Sequence, residues 1–346
     1  MRITVLAGGV GGSRFVRGLR EELRRRAARA DALPGASVPP DQPTPDDQVS
    51  VVVNTGDDVW LAGVRLMPDF DSLLYALAGV NDAERGWGRA GESERVAAEL
   101  REWGVGWPWF TLGDLDLGTH LARTSWLREG LTPSEIGERL QRRWPLGVHL
   151  LPATDTEVDT WVEIAEPTDD GRRELHFQEW WTRHRASLPA SAFRQRNIAE
   201  ARPAPGVVEA IEQADVVLLA PSNPVVSIGT ITAIPGIADA LRATAARVVG
   251  VSPIIGGKVV RGMADACLAA IGVETDAVAV ARHYGARANG GLLDGWLVDE
   301  ADAAAVPALE ASGIRAHAAP LWMRDPDTSA AVAGAALDLA SALRPA

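Results

Sequence analysis

An apolar strand that runs straight into a cluster of glycines and then into a long amphipathic helix opens this chain. That order restricts the fold more than any other feature. Residues 3–7 lead into Gly8-Gly9-Val10-Gly11-Gly12-Ser13, and from 13 to about 29 Phe15, Val16, Leu19 and Leu23 recur at helical spacing. A second apolar run, 49–54, ends in Thr55-Gly56-Asp57-Asp58. The rhythm returns after Pro205. A helix over 207–213 precedes a strand over 215–220 that ends in Pro221-Ser222-Asn223-Pro224, and a further helix precedes a strand over 247–251 that ends in Ser252-Pro253-Ile254-Ile255-Gly256-Gly257-Lys258. Strands that are apolar throughout are buried on both faces, as in a parallel sheet with helices on each side. The pattern predicts an α/β fold, a doubly wound, mainly parallel, Rossmann-like sheet. Ligands in such folds bind outside the carboxyl ends of the strands, so the loops 8–13, 55–58, 221–224 and 252–258 are the candidate site.

The middle of the chain reads differently. Helical patterns are expected over 71–78, 92–103, 119–128 and 133–144, the last opening with Thr132-Pro133-Ser134-Glu135, a capping box with proline at the first helical position. The period then changes to two: Val158, Thr160, Val162 and Ile164 alternate with polar or amphipathic residues, and Asp169-Asp170-Gly171 turns the chain into 174–181, predicting a β-hairpin. The expected organisation is a core of 1–75 and 205–346 with a helical and β-hairpin insertion over 76–204. Residues 34–47, rich in proline and aspartate without periodicity, read as a mobile surface loop, and the alanine-rich 330–342 as a closing helix.

Composition narrows the function. The formal charge of −12 leaves nothing to neutralise a nucleic-acid strand, so any anionic ligand is held locally by helix N-termini, backbone N–H groups, a few cations or a metal. A single cysteine, Cys267, excludes an internal disulfide, points to a reducing compartment and sits in an apolar run as core packing. No run reaches the roughly twenty apolar residues that cross a bilayer, and the first residues read as a strand rather than a signal peptide; a cytoplasmic location is expected. Twelve tryptophans stand against two tyrosines and five phenylalanines. Those at Trp103, Trp107 and Trp109 and at Trp180 and Trp181 are core fillers or the walls of a slot for a planar ligand.

The glycine loop allows a backbone to approach a phosphate closely and aims helix N–H groups at it. It is not a dinucleotide fingerprint, because Arg14 stands where the third glycine belongs and Asn54 where an acid would grip a ribose. Nor is Gly256-Gly257-Lys258 a P-loop, since Val259 replaces the metal-binding hydroxyl; Lys258 is either a phosphate partner or an exposed lysine. Asp57, Asp58, Asp69 and Asp71 gather four carboxylates within fifteen residues, a pattern that suits a hard divalent cation such as Mg²⁺. For Asp71 the competing role is a helix cap. In 176–181, strand alternation would put His176, Gln178 and Trp180 on one face, able to hold a planar heterocycle. No nucleophile elbow and no thiolate metal site exist.

Taken together, Gly8-Gly9-Val10-Gly11-Gly12, Asn54-Thr55-Gly56-Asp57-Asp58, Arg85-Gly86-Trp87-Gly88, Leu112-Gly113-Asp114 with Thr119-His120, and the segments 176–181, 220–227 and 252–258 resemble the 2-phospho-L-lactate transferase family, whose bacterial branch is the phosphoenolpyruvate transferase of coenzyme F-420 biosynthesis. The likeness covers nearly the whole chain, with 34–47 as a local expansion. It implies a guanosine diphospho-donor carrying enolpyruvate or lactate, attack by the ribityl hydroxyl of the deazaflavin FO on the substituted phosphorus, release of GMP, a requirement for Mg²⁺ and a homodimer. It assigns Asp57 and Asp58, with Asp69 or Asp71, to the metal and to base duty. It assigns Gly9, Gly11, Gly12, Ser13, Ser222, Asn223, Ser227 and Lys258 to the nucleotide and its phosphates, and Trp87, His176, Gln178 and Trp180 to the deazaflavin. The competing expectations are a non-catalytic regulator of the gluconeogenesis-factor type that binds nucleotide sugars, opposed by the 85–88 and 176–181 motifs, and a nicotinamide dehydrogenase, opposed by the broken fingerprint.

Overall fold

A computed structural model describes residues 1–31 and 48–343; the loop expected over 34–47 lies outside the described residues. The central sheet is built from β1 (Arg2–Ala7), β2 (Gln48–Val53), β5 (His149–Pro152), β9 (Val216–Leu219), β10 (Arg247–Val251), β13 (Gly295–Val298) and β14 (Arg315–Ala318). Their order is β14-β13-β10-β9-β1-β2-β5, and every neighbouring pair is parallel. The chain leaves β1 toward β2 and β5, then crosses back to β9 on the other side. The order therefore reverses between β1 and β9, and a crevice opens there at the carboxyl ends. The α/β, doubly wound, mainly parallel expectation describes this sheet. One strand of it, β5, comes from within 76–204.

Both faces of the sheet are covered. On one, Ile3, Val5, Val49, Val51 and Val53 pack with Phe15, Val16 and Leu19 of α1 (Gly9–Asp31), Leu73 and Leu74 of α2 (Pro68–Ala78), and Val332 and Leu337 of the closing helix Pro326–Ala342. On the other, Leu6, Val52, Val217 and Leu219 pack with Ile228, Ile231 and Ile237. α1 and the closing helix approach so closely that a Cβ on Gly18 would lie 2.3 Å from the Ser329 carbonyl carbon and oxygen. Backbone cannot yield as a flexible side chain does.

Between β2 and α2 lies a hairpin that periodicity did not anticipate, β3 (Val59–Leu61) and β4 (Val64–Leu66), closed by Ala62 and Gly63 with φ of 51° and 79°. Such positive values suit a tight two-residue turn. Helices α3 (Arg95–Glu102), α4 (Asp114–Arg128) and α5 (Pro133–Gln141) follow, and the box at Thr132 and Glu135 forms as expected. The predicted hairpin is a three-stranded antiparallel sheet, β7 (Glu174–His176), β6 (Thr160–Ile164) and β8 (Ala190–Gln195). A last small hairpin pairs β11 (Ile254–Ile255) with β12 (Lys258–Val259). No helix among the described residues is long and apolar enough to cross a membrane.

Gly18→Ala is expected to destabilise the protein by about 1–3 kcal/mol, the usual cost of overpacking. A thermal melt several degrees lower, with the far-UV spectrum retained, is the outcome that checks it.

Candidate active site

The groups that come together at the β1/β9 crevice come from the loops after β1, β2 and β9 and from the first turn of α2. β1 delivers Gly8, and α1 begins at once with Gly9 at a φ of 60°, a conformation that favours glycine. The first turn of α1 carries no acid of its own; the acid at its N-terminus is Asp69 of α2, which accepts the Gly9 N–H. A Cβ on Gly8 would lie 2.6 Å from Asp69 Oδ2, and one on Gly11 would lie 2.6 Å from the Pro221 carbonyl oxygen. The loop is glycine-rich because carboxylate, serine and backbone press against it from three sides. Ser222 clips it: the Gly8 N–H donates to Ser222 Oγ at 3.0 Å, and that hydroxyl donates back to the Gly8 carbonyl at 2.8 Å. Ser13 serves its own loop through the Val10 carbonyl at 2.9 Å. Ser227 lies against Gly8. Asn223 accepts from the Val225 and Val226 N–H groups at 2.9 and 3.2 Å and reaches Cys267 Sγ at 3.4 Å, shaping the loop after β9.

Asn54, the residue after β2, organises the carboxylates. Its Nδ2 donates to Asp57 Oδ1 at 3.0 Å and to Asp69 Oδ2 at 2.9 Å, and its Oδ1 accepts the Gly56 N–H at 3.0 Å. Both aspartates are buried. Burial, then the neighbouring Asp69 charge, pushes the Asp57 carboxyl well above its ordinary range. Burial pushes Asp69 up to about 6, against the pull of hydrogen bonds from Asn54 and the Gly9 N–H. Two such carboxylates facing one pocket have a high affinity for any compensating cation. Hard oxygen donors such as these two carboxylates suit Mg²⁺, so the donor set fits the ion.

The four aspartates divide two and two. Asp58 and Asp71 do not bond to Asn54 and lie against arginines instead. Asp58 Oδ2 is 3.7 Å from Arg65, whose guanidinium also donates to Asp159 at 2.9 Å, and Asp58 Oδ1 is buried without a hydrogen-bond partner. Burial raises the Asp58 carboxyl well above its usual range, opposed chiefly by the Arg65 charge. Asp71 is not the cap of α2. The helix starts three residues earlier at Pro68, and Asp71 lies buried inside it, paired with the fully buried Arg123. Arg123 also donates to the Arg65 carbonyl at 3.2 Å and contacts His120 Nδ1 at 3.1 Å, while His120 Nε2 is 3.4 Å from Asp116, which accepts the Tyr75 hydroxyl at 2.7 Å. Asp71, Asp116 and His120 are close enough together to hold a metal, but the guanidinium already supplies the cation there.

The aromatic side of the crevice corrects one expectation. Alternation stops at His176: the chain turns helical at Phe177, and Glu179–Arg183 is a π-helix. His176, Gln178 and Trp180 therefore do not share a strand face. Trp180 is fully buried among Phe177, Phe193 and Leu175, and its indole N–H donates to the Leu188 carbonyl at 2.7 Å, so neither ring face is open to a ligand. A helical turn buries the residue that a strand would have exposed. Gln178 does reach the site, donating to Asp57 Oδ2 at 3.3 Å. His176, neutral through burial, accepts the Gln178 N–H at 3.1 Å and stands 5.9 Å from Trp107, which stacks on Trp109 at 4.7 Å. Trp87 is 42% exposed with Arg85 over its ring at 4.8 Å, on a loop beside Arg261. Lys258 is exposed on β12, after a hairpin tip formed by Gly256 and Gly257 at φ of 56° and 70°; those glycines serve the turn.

Two cations escaped the sequence reading. Burial, then the charge of Arg14, lowers the proton affinity of Arg261, and Arg261 donates to the Arg85 carbonyl at 3.3 Å. Arg14 donates to the Met323 carbonyl at 3.3 Å. The only signal was their position, one just after the glycine loop and one just after Lys258. Cys267 is buried and its thiol is pushed up to about 12, which agrees with a packing role.

The fold is α/β, and the family model described as 2-phospho-L-lactate transferase CofD matches residues 3–320, which makes the chain a transferase of that class. This chain belongs to that family. It is 52% identical to the phosphoenolpyruvate transferase of Thermobifida fusca over 99% of both chains, and 51% identical to that of Nocardia farcinica over 98% of this chain and 95% of the other. The phosphoenolpyruvate transferase of Mycolicibacterium smegmatis is 50% identical over 98% of this chain and 99% of its own. Among solved structures, protein BH3568 of Bacillus halodurans shares the fold, with a TM-score of 0.59 at 17% identity over 97% of this chain and 99% of the other.

Because Asp69 binds its proton more tightly folded than unfolded, its contribution favours folding below the unfolded value and is lost as pH rises through about 6. Asp69→Asn is expected to stabilise the metal-free protein at pH 8, because it removes a carboxylate that burial makes costly to ionise in the folded state. The same variant is expected to flatten the loss of stability between pH 4 and about 6. Urea unfolding in chelator across that range tests both. Trp180→Ala is expected to cost about 3–5 kcal/mol through a core cavity, measured in the same way.

Proposed function

We propose that the chain transfers a phosphoenolpyruvyl group from a guanosine diphospho-donor to the ribityl hydroxyl of the deazaflavin FO, giving dehydro-F-420-0 and GMP. The observation that carries this reading is the buried Asp57–Asp69 pair, held by Asn54 against the glycine loop at the β1/β9 reversal. The choice of enolpyruvyl over 2-phospholactyl follows the relatives at about half identity over nearly the full chain, which carry the name phosphoenolpyruvate transferase.

Gly9, Gly11, Gly12 and the first N–H groups of α1 hold the diphosphate, with Ser222, Ser227, Arg14 and Arg261 around it and Lys258 at the rim. Asp57 and Asp69 hold Mg²⁺, which supplies charge neutralisation on the phosphate oxygens. The deazaflavin lies against His176, Trp107 and Trp109, with Trp87 at the entrance, and Gln178 fixes the Asp57 carboxylate. In the reaction a bond forms between the ribityl oxygen and the phosphorus that carries enolpyruvate, and the bond from that phosphorus to the GMP oxygen breaks. The hydroxyl proton passes to Asp58, whose unpartnered Oδ1 and raised proton affinity suit a base. In-line transfer asks for positioning and charge neutralisation more than for covalent chemistry, and this crevice supplies positioning.

Titration with FO, followed by deazaflavin fluorescence, is expected to saturate. Mg²⁺ is expected to raise the melting temperature at pH 7.5, and Asp57→Asn or Asp69→Asn to abolish that rise along with GMP release. A folded protein that binds no FO sinks the acceptor assignment; a melting temperature indifferent to Mg²⁺ sinks the metal assignment.

A further inference from the structure

Away from the crevice, the loop before Glu92 meets α4 and α5 around a cavity of about 360 Å³, within the roughly 300–1,000 Å³ range of small-molecule sites. Its walls carry Arg89, Arg139 and Arg143 together with Trp126 and Trp144. Each guanidinium lies over an aromatic ring: Arg139 is 5.5 Å from the centre of Trp126, Arg143 is 4.6 Å from Trp144, and Arg89 is 5.5 Å from Trp144 and 5.9 Å from Tyr75. A cation over a ring is held by the ring's quadrupole rather than by a hydrogen bond, so its N–H groups stay available as donors. Among the described residues none of the three is ion-paired with a carboxylate. The acid on the cavity wall, Asp114, spends its oxygens on the Ser93 N–H and hydroxyl, each at 2.9 Å, and on its neighbour Leu115 N–H at 2.8 Å. Arg89 Nε is buried with no hydrogen-bond partner, an expensive state for a charged donor unless something occupies the cavity. In a chain of net charge −12, three uncompensated cations converging on one concavity stand out from the surrounding field.

We propose that this cavity is a binding site for a small oxyanion, a phosphate- or carboxylate-bearing molecule, gripped by the forks of Arg89, Arg139 and Arg143 between the indoles of Trp126 and Trp144. A planar fork matches either oxyanion in two-point contact, and the stacked indoles hold the forks in place before the ligand arrives. The site does not depend on the transfer reaction, since none of these residues belongs to the crevice. Thr119, on the cavity wall, is a partner of the Tyr75 hydroxyl, so an occupant would sit beside the network that leads through Asp116 and His120 to Arg123 and Asp71.

The test is calorimetric titration of the full chain at low ionic strength with inorganic phosphate and, separately, with citrate. Saturable binding of at least one is expected, and the tighter of the two tells whether a phosphorylated or a polycarboxylate ligand is the source. R139A/R143A changes two exposed residues, one on α5 and one in the turn that follows it, and so leaves the fold intact by circular dichroism. It is expected to weaken binding at least about tenfold, the loss of charge-assisted hydrogen bonds. R89K keeps the charge but loses the fork, and is expected to weaken binding several-fold. Unchanged affinity in R139A/R143A, or no saturable heat with either anion, overturns the proposal.

Discussion

Asp57 and Asp69 face each other with one carboxamide between them, and much of the structure exists to keep them there. Asn54 can donate to both only because β2 ends at Val53 and the next turn bends back through the Gly56 N–H onto the same side chain. Gly56 in turn sits under Thr160 and Thr230 with no room for a Cβ, which would lie 2.8 Å from the Thr160 hydroxyl and 2.7 Å from the Thr230 methyl. The Gly56 carbonyl accepts the Thr160 N–H at 2.7 Å. The carboxylate pair is thus tied at once to the central sheet, to the antiparallel sheet and to the loop after β9.

The second constraint is the position of α2, which carries both Asp69 and Asp71. Asp69 turns toward the glycine loop, while Asp71, two residues on, turns toward Arg123. A fully buried arginine is tolerable only if its charge is met. Here it binds Asp71, His120 and the Arg65 carbonyl, joining α2, α4 and β4. That network anchors the helix whose first turn supplies half of the carboxylate pair. The carboxylates therefore fall into two kinds. One pair shares the Asn54 amide, with no arginine paired to it among the described residues; the other is matched by arginines of the chain itself.

The same division of cations leaves local positive charge on so acidic a chain. Many of its arginines are spent in pairs, such as Arg26 with Glu22 and Asp338, or Arg172 with Glu179. A few are withheld from carboxylates: Arg261 near Arg14 beside the crevice, and Arg89, Arg139 and Arg143 around the cavity of α4 and α5. Local uncompensated charge, not net charge, sets where an anion is attracted.

From its sequence alone this chain determined the sheet and the glycine loop, because buried parallel strands are apolar throughout and only glycine permits such close backbone approach. The Thr132 capping box, the aspartate cluster and the family likeness were legible for the same reason: each is local in the chain. What only the tertiary structure decided was which charge meets which. Nothing in the sequence indicates that Arg123, fifty-two residues on, claims Asp71, or that the β3–β4 hairpin folds Arg65 back toward Asp58. The strand reading of 176–181 failed similarly. Alternation cannot see that Phe177 and Trp180 fill a hydrophobic cluster with Phe193, which favours a helical turn and buries the indole. Charge pairing and burial are sums over neighbours distant in sequence, and those sums exist only once the chain has folded.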